Sequence, residues 1–197
     1  MKVMIFGASG TIGRAVAAEL GQRHDVIGVA RSSGDHRADM TDPASIEALL
    51  QKTGKVDALV CCAGKAKFAP LAQINHDVLS VGLQNKLLGQ TNVILAGLEH
   101  LNDGGSVTVT TGILTEQYIR EASPASMANG ALEAFVKAAA IEMPRGLRVN
   151  VVSPGVIEES LQIFGKFFRG FEPVPAKRAA LAYARSVEFW SRHANWR

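Results

Sequence analysis

KVMIFGASGTIGRAVAAEL, residues 2–20, joins an apolar run to a helical pattern through three glycines, Gly7, Gly10 and Gly13. Lys2–Phe6 has the length and apolar content of a buried strand, and the residues from Gly10 to Gly21 read as an amphipathic helix. Glycine at the first position permits a tight turn. At the second it lets backbone approach a pyrophosphate, and at the third it lets the helix pack close to the strand. The amides around Ser9, Gly10, Thr11 and Ile12 then lie at a helix N-terminus, where unpaired N–H groups and the helix dipole favour an anion. Strand, glycine turn and helix in this order are the context in which such a triplet binds a dinucleotide.

The rest of the chain repeats the rhythm. Strands are expected at Val26–Ala30, Ala58–Cys62, Ser106–Thr110 and Arg148–Val152. Helices are expected at Pro43–Thr53, from about His76 to His100, near Pro124–Met143 and at Pro175–Trp190. The runs VMIF, ALVCC and VNVV are apolar without alternation, as strands covered on both faces are. This predicts an α/β chain of the Rossmann type: a doubly wound, mostly parallel sheet with helices on both faces, folded as one domain over residues 1–197. The connection from Ala30 to Ala38 is short and polar, leaving no room for a full crossover helix between the second and third strands. The tail SRHANWR, residues 191–197, reads as a loose polar end.

The end of the second strand selects the dinucleotide, because an acidic residue there holds a ribose 2′-hydroxyl whereas an arginine accommodates a 2′-phosphate. Here Ala30 is followed by Arg31, Ser32 and Ser33, so the expected cofactor is NADP, preferred over NAD. Arg37 is a second, weaker candidate for the phosphate.

Composition narrows the partners. The chain has 197 residues, 47% hydrophobic and 20% charged, within the range of globular domains. A net charge of +3 comes from scattered basic residues with no interleaved aromatics, so no nucleic-acid partner is expected. No apolar stretch is long enough to span a bilayer and no export signal is read, which predicts no membrane partner. Two adjacent cysteines, Cys61 and Cys62, cannot staple distant segments and read as buried small hydrophobes, which suits a cytoplasmic protein. The five histidines show no metal-ligand spacing, and no metal is expected.

Five segments in order, GASGTIG at 7–13, DMTD at 39–42, CCAG at 61–64, ANGALEAFVKAAAIE at 128–142 and PRGLRVNVVSPGVIEES at 144–160, resemble the short-chain dehydrogenase/reductase family. The resemblance covers the chain from Met1 to about Ser160. It implies that Asp39 and Met40 lie beside the adenine, that Ala63 and Gly64 border a cofactor ribose, and that Pro154 and Gly155 pass near the nicotinamide. It also implies self-association as a homodimer or tetramer.

The pattern departs from the family where the chemistry sits. The family's Tyr-x-x-x-Lys pair falls on Ala125 and Asn129, its serine on Thr111 or Gly112, and its active-site asparagine on Lys86. Lys86, projecting from the long helix, is the candidate for the lost positive charge and for the proton donor; Thr111 is a candidate hydrogen-bond partner for a substrate carbonyl. Tyr118 is a further, weaker candidate on a loop. Phe164, Phe167, Phe168 and Phe171 read either as the lining of an apolar substrate pocket or as the buried side of a short helix. The expected function is an NADP-dependent oxidoreductase acting on a small carbonyl or hydroxyl substrate through an atypical active site; the alternative is a catalytically silent NADP-binding sensor.

Overall fold

The structure, a computed structural model, describes residues 1–34 and 36–189, and the backbone of 195–196. Seven strands form one parallel sheet in the order β3-β2-β1-β4-β5-β6-β7. They are β1 (Lys2–Phe6), β2 (Asp25–Ala30), β3 (His36–Arg37), β4 (Val56–Cys61), β5 (Leu101–Thr110), β6 (Arg148–Val152) and β7 (Asn195–Trp196). Helices α1 (Thr11–Leu20), α2 (Pro43–Thr53), α3 (His76–Gly82), α4 (Gly89–His100), α5 (Ser123–Glu142), α6 (Leu161–Phe164) and α7 (Ala176–Glu188) make most of the connections. β2 passes to β3 without a helix, as the short polar connection predicts.

Alternate residues of each central strand feed two different cores, which is why those strands look continuously apolar. Met4 and Phe6 of β1 and Leu59 and Cys61 of β4 pack with Ile46 and Leu50 of α2, Val93 and Ile94 of α4, and Leu132 and Val136 of α5. Val3 and Ile5, with Ala58 and Val60, pack on the opposite face with Val16 and Leu20 of α1 and Ala180, Tyr183 and Val187 of α7. The sheet is therefore doubly covered. The chain runs outward from β1 to β3 and then returns to lay β4 on the other side of β1. That reversal opens a crevice at the carboxyl ends of β1 and β4, the usual ligand position in open α/β sheets.

Two expectations need correction. The C-terminal end is not a loose tail throughout, because Asn195 and Trp196 pair in parallel with Val151 and Val152. A two-residue strand is too short to show any periodicity, so the sequence carried no signal for it; residues 190–194 and 197 of the predicted helix end and tail lie outside the described residues. The strand expected at Ser106 begins at Leu101, with the register against β4 shifting between Val56–Leu101 and Ala58–Ser106. The turn-like sequence Asn102–Gly105 is accommodated there as a bulge, with Gly104 at φ 76°.

Candidate active site and cofactor crevice

Gly7 ends β1 at φ 81°, and a Cβ there would lie 2.8 Å from the Cβ of Ala63 after β4. The turn thus closes directly against the neighbouring strand end. Gly13 is tighter still, because a Cβ would meet the Gly7 carbonyl oxygen at 2.0 Å. Gly10 is less crowded than these two but still close: a Cβ would lie 3.3 Å from the Gly7 carbonyl oxygen, so the backbone there would have to give slightly. Helix α1 starts at Gly10 with no side-chain cap and no acidic residue in its first turn, leaving its N-terminus available to an anion.

A cavity of about 370 Å³ follows from this turn. Gly7, Ser9, Gly10, Arg31, Ser32 and Asp39 line it, together with Met40, Ala63 and Gly64. Thr11 and Gly13 do not line it; Gly13 acts by packing, and Ile12 faces a second cavity. Arg31 is largely exposed and its Nε lies 3.0 Å from Asp39 Oδ2, a partner the sequence did not indicate. Hydrogen bonds from the Thr41 hydroxyl and amide, with a smaller contribution from Arg31, hold the Asp39 carboxyl below its usual range. Arg37 turns to the Gly34 carbonyl at 3.2 Å and does not line this cavity.

The second cavity, about 600 Å³, adjoins the first at Gly64 and Lys65. Ile12, Lys86, Thr111, Ala125, Asn129, Pro154 and Gly155 line it, so residues far apart in sequence meet around one cavity. Phe68, Phe164 and Phe168 add apolar wall. Phe167 packs tilted against Phe68 at 4.7 Å and Phe171 meets Phe168 edge-on at 5.4 Å, so the two that do not line the pocket brace two that do. Tyr118 is 76% exposed, donates to the Thr115 carbonyl at 3.3 Å, and does not line this cavity.

Three side chains fix the segment leaving β5. Gln90, fully buried on α4, donates to the Thr110 carbonyl at 2.7 Å and accepts from the Thr110 amide at 2.8 Å. Lys86, four residues earlier in a π-helical turn at Leu83–Leu88, donates from Nζ to the Thr111 carbonyl at 3.0 Å. Asn129 on α5 donates from Nδ2 to the Gly112 carbonyl at 3.4 Å. Thr110, Thr111 and Gly112 are consecutive, so helices on either side of the strand end grip successive carbonyls. A π turn inserts one residue into the helix, and such turns cluster at functional sites.

Burial of the Lys86 ammonium lowers its pKa to about 8, with Cys61 and Glu133 pulling it back up. It can therefore change protonation near neutral pH. Thr111 is arranged differently from the sequence expectation. Its hydroxyl donates to Glu133 Oε1 at 2.8 Å, and the Thr115 hydroxyl bonds the same oxygen at 3.0 Å. The one hydroxyl proton of Thr111 is thus committed, and toward a substrate that oxygen can only accept. Glu133 and Gln90 were missed by sequence reasoning; the signal available was only a polar residue one helical turn beyond Asn129 and Lys86 respectively. Cys61 is buried, with its thiol pushed up to about 12 by desolvation, and Cys62 is raised as well, which leaves both as inert thiols.

Asn129 Oδ1 is buried and has no hydrogen-bond partner among the described residues. A buried carbonyl oxygen without a donor is costly, and a ligand hydroxyl in the cavity would satisfy it. With Gly10 lining the first cavity and the start of α1 uncapped, the residues present fit a dinucleotide laid from the first cavity into the second.

The fold and these two cavities define a dinucleotide-crevice α/β protein. Residues 11–187 match the family described as Enoyl-(Acyl carrier protein) reductase, and the chain belongs to the short-chain dehydrogenase/reductase family. It is 31% identical over 182 residues to the 3-oxoacyl-(acyl-carrier-protein) reductase FabG of Escherichia coli, covering 80% of this chain and 74% of that one. An uncharacterized oxidoreductase of Methylorubrum extorquens is 32% identical over 113 residues, 57% of this chain and 46% of the relative. The chain's matches span about half the length of the first curated relatives, 46% and 48%. Among solved structures, the protein lin1944 from Listeria innocua superposes with TM-score 0.96 at 46% identity, over 100% of this chain and 98% of that one. A small-chain dehydrogenase solved in complex with NADPH shares the fold at TM-score 0.87 and 22% identity, covering 100% and 96%. Among the described residues no helix is long and apolar enough to cross a membrane.

Proposed function

We propose that the protein is an NADP-dependent oxidoreductase that interconverts a carbonyl and a hydroxyl on a small, mainly apolar substrate, with Lys86 handling the proton. The observation that carries this reading is the position of Lys86: a half-buried lysine in the wall of a mainly apolar cavity that adjoins the crevice. The NADPH bound to a neighbour of the same fold supports the cofactor, as does Arg31 at the rim where a 2′-phosphate would lie. Gly7, Ser9 and Gly10 would hold the pyrophosphate, Asp39 and Met40 would flank the adenine, and Pro154 and Gly155 would border the nicotinamide. When bound, the nicotinamide supplies or accepts a hydride at the substrate carbon. In the reducing direction Lys86 gives a proton to the substrate oxygen and becomes a neutral amine; in the oxidising direction that amine takes the hydroxyl proton. The Thr111 carbonyl holds Nζ in place, and the phenylalanine wall excludes water. Ala125 and Asn129, where the family pattern carries tyrosine and lysine, leave this task to Lys86.

The test is NADPH oxidation across a panel of apolar ketones. Reduction needs the ammonium, so the rate should fall as pH rises through about 8, while alcohol oxidation should rise over the same interval. Lys86→Met should lower turnover by about 2–4 powers of ten with little loss of nucleotide affinity. A protein that binds NADPH but turns over no ketone, with Lys86→Met changing only affinity, would instead be a silent nucleotide sensor.

A further inference from the structure

The wall of the larger cavity is unbalanced in charge. Lys65, Lys67 and Lys86 line it, and among the described residues no aspartate or glutamate does. Most of the remaining wall is apolar, including Phe68, Phe164 and Phe168. Lys65 and Lys67 are exposed and form no ion pair among the described residues, so their ammonium groups are free to meet a ligand. The segment that carries them is held at both ends. A Cβ on Gly64 would lie 3.1 Å from Lys86 Cγ, so the chain entering Lys65 lies against the Lys86 stem. Beyond Lys67, the Phe68 ring packs on Phe164 at 5.7 Å and on Phe167 at 4.7 Å, and the Ala69 amide donates to the Glu121 carbonyl at 2.9 Å. Lys65 also lines the first cavity, whereas Lys67 lines only the larger of the two. A neutral ligand gains nothing from these charges. An anionic head on an apolar body matches both parts of the wall, because lysine meets the head while phenylalanine packs on the body.

We infer that the larger cavity takes an apolar carboxylic acid, with its carboxylate on Lys65 and Lys67 and its body against the phenylalanine wall. As a substrate class this rests on the oxidoreductase reading above, under which Lys86 is left for the reacting oxygen; the substrate is then an oxo acid or the matching hydroxy acid. The acid site itself rests on the lysines and can be read without turnover.

The experiment titrates octanoate and its uncharged counterpart octanamide into the full chain by calorimetry, and follows NADPH oxidation with a series of oxooctanoates and the matching octanones. Two partly exposed ion pairs together give about tenfold in affinity, so octanoate should bind about tenfold tighter than octanamide. Lys67→Met should narrow that gap to about threefold with octanamide and NADPH affinities unchanged, and Lys65→Met combined with Lys67→Met should close it. The oxooctanoates should show a kcat/KM about tenfold above the octanones, lost in the double variant. Octanoate binding no tighter than octanamide, or a preference that survives the double substitution, overturns the acid site. An acid preference without turnover of any oxooctanoate or octanone overturns the oxidoreductase reading and leaves the acid site standing, and turnover of ketones without an acid preference does the reverse.

Discussion

Three glycines of one motif do three separate jobs. Gly13 has no room for a side chain, since a Cβ would collide with the Gly7 carbonyl at 2.0 Å. Gly10 is less crowded, its nearest contact being the same oxygen at 3.3 Å, so only a small shift is needed there. The two therefore separate folding from binding. Gly13→Ala should lower stability by about 1–3 kcal/mol or more, because overpacking against backbone cannot be relieved by a rotamer change. Gly10→Val should lower the unfolding temperature less than Gly13→Ala does yet lose nucleotide binding, since its branched side chain fills the space the pyrophosphate needs. Thermal unfolding with and without NADPH reads both effects, and a Gly10→Val protein still stabilised by NADPH would place the nucleotide elsewhere.

At the scale of elements, the strands and helices were largely legible because each carries its own pattern. β1, α2 and β6 have the bounds expected from sequence, and in the two strands the alternating allegiance of residues to two cores explains the unbroken apolar runs. The glycine cradle was legible for the same reason, as a motif in its required context. What was hidden depends on contacts between elements. Gln90 reads as one more polar residue on a helix, yet it is fully buried and pins α4 to the end of β5 through both amide atoms. Glu133 looks like a solvated helix residue and instead occupies the proton of Thr111. β7 was hidden because two residues have no period. Gln90 also sets the register that brings Lys86, one turn away, to Thr111. Gln90→Leu leaves the Thr110 amide and carbonyl without their side-chain partners and should cost about 2–4 kcal/mol in denaturant unfolding. It should also loosen the Lys86 anchor, so that turnover falls further than the stability loss alone would require. A variant as stable as wild type would show that the clamp is redundant with the strand pairing.

For the whole molecule, the reversal of strand order between β1 and β4 decides where everything else sits. It places the uncapped start of α1, the Arg31 rim and the Ala63–Gly64 turn around one cavity, and it opens that cavity into the one holding Lys86 and Asn129. The proposed chemistry rests on a dinucleotide bridging the two, and the proposed preference for a 2′-phosphate rests on Arg31, whose present partner is Asp39 at 3.0 Å. A charge-assisted contact to phosphate contributes about 1.5–3 kcal/mol, or roughly tenfold or more in affinity. The most direct measurement is calorimetric titration of NADPH and NADH into the native protein and into Arg31→Ala. Binding of NADPH at least tenfold tighter than NADH in the native protein, with the gap closing in Arg31→Ala, is the expected result. Equal affinities in the native protein, or binding of neither nucleotide, would contradict it.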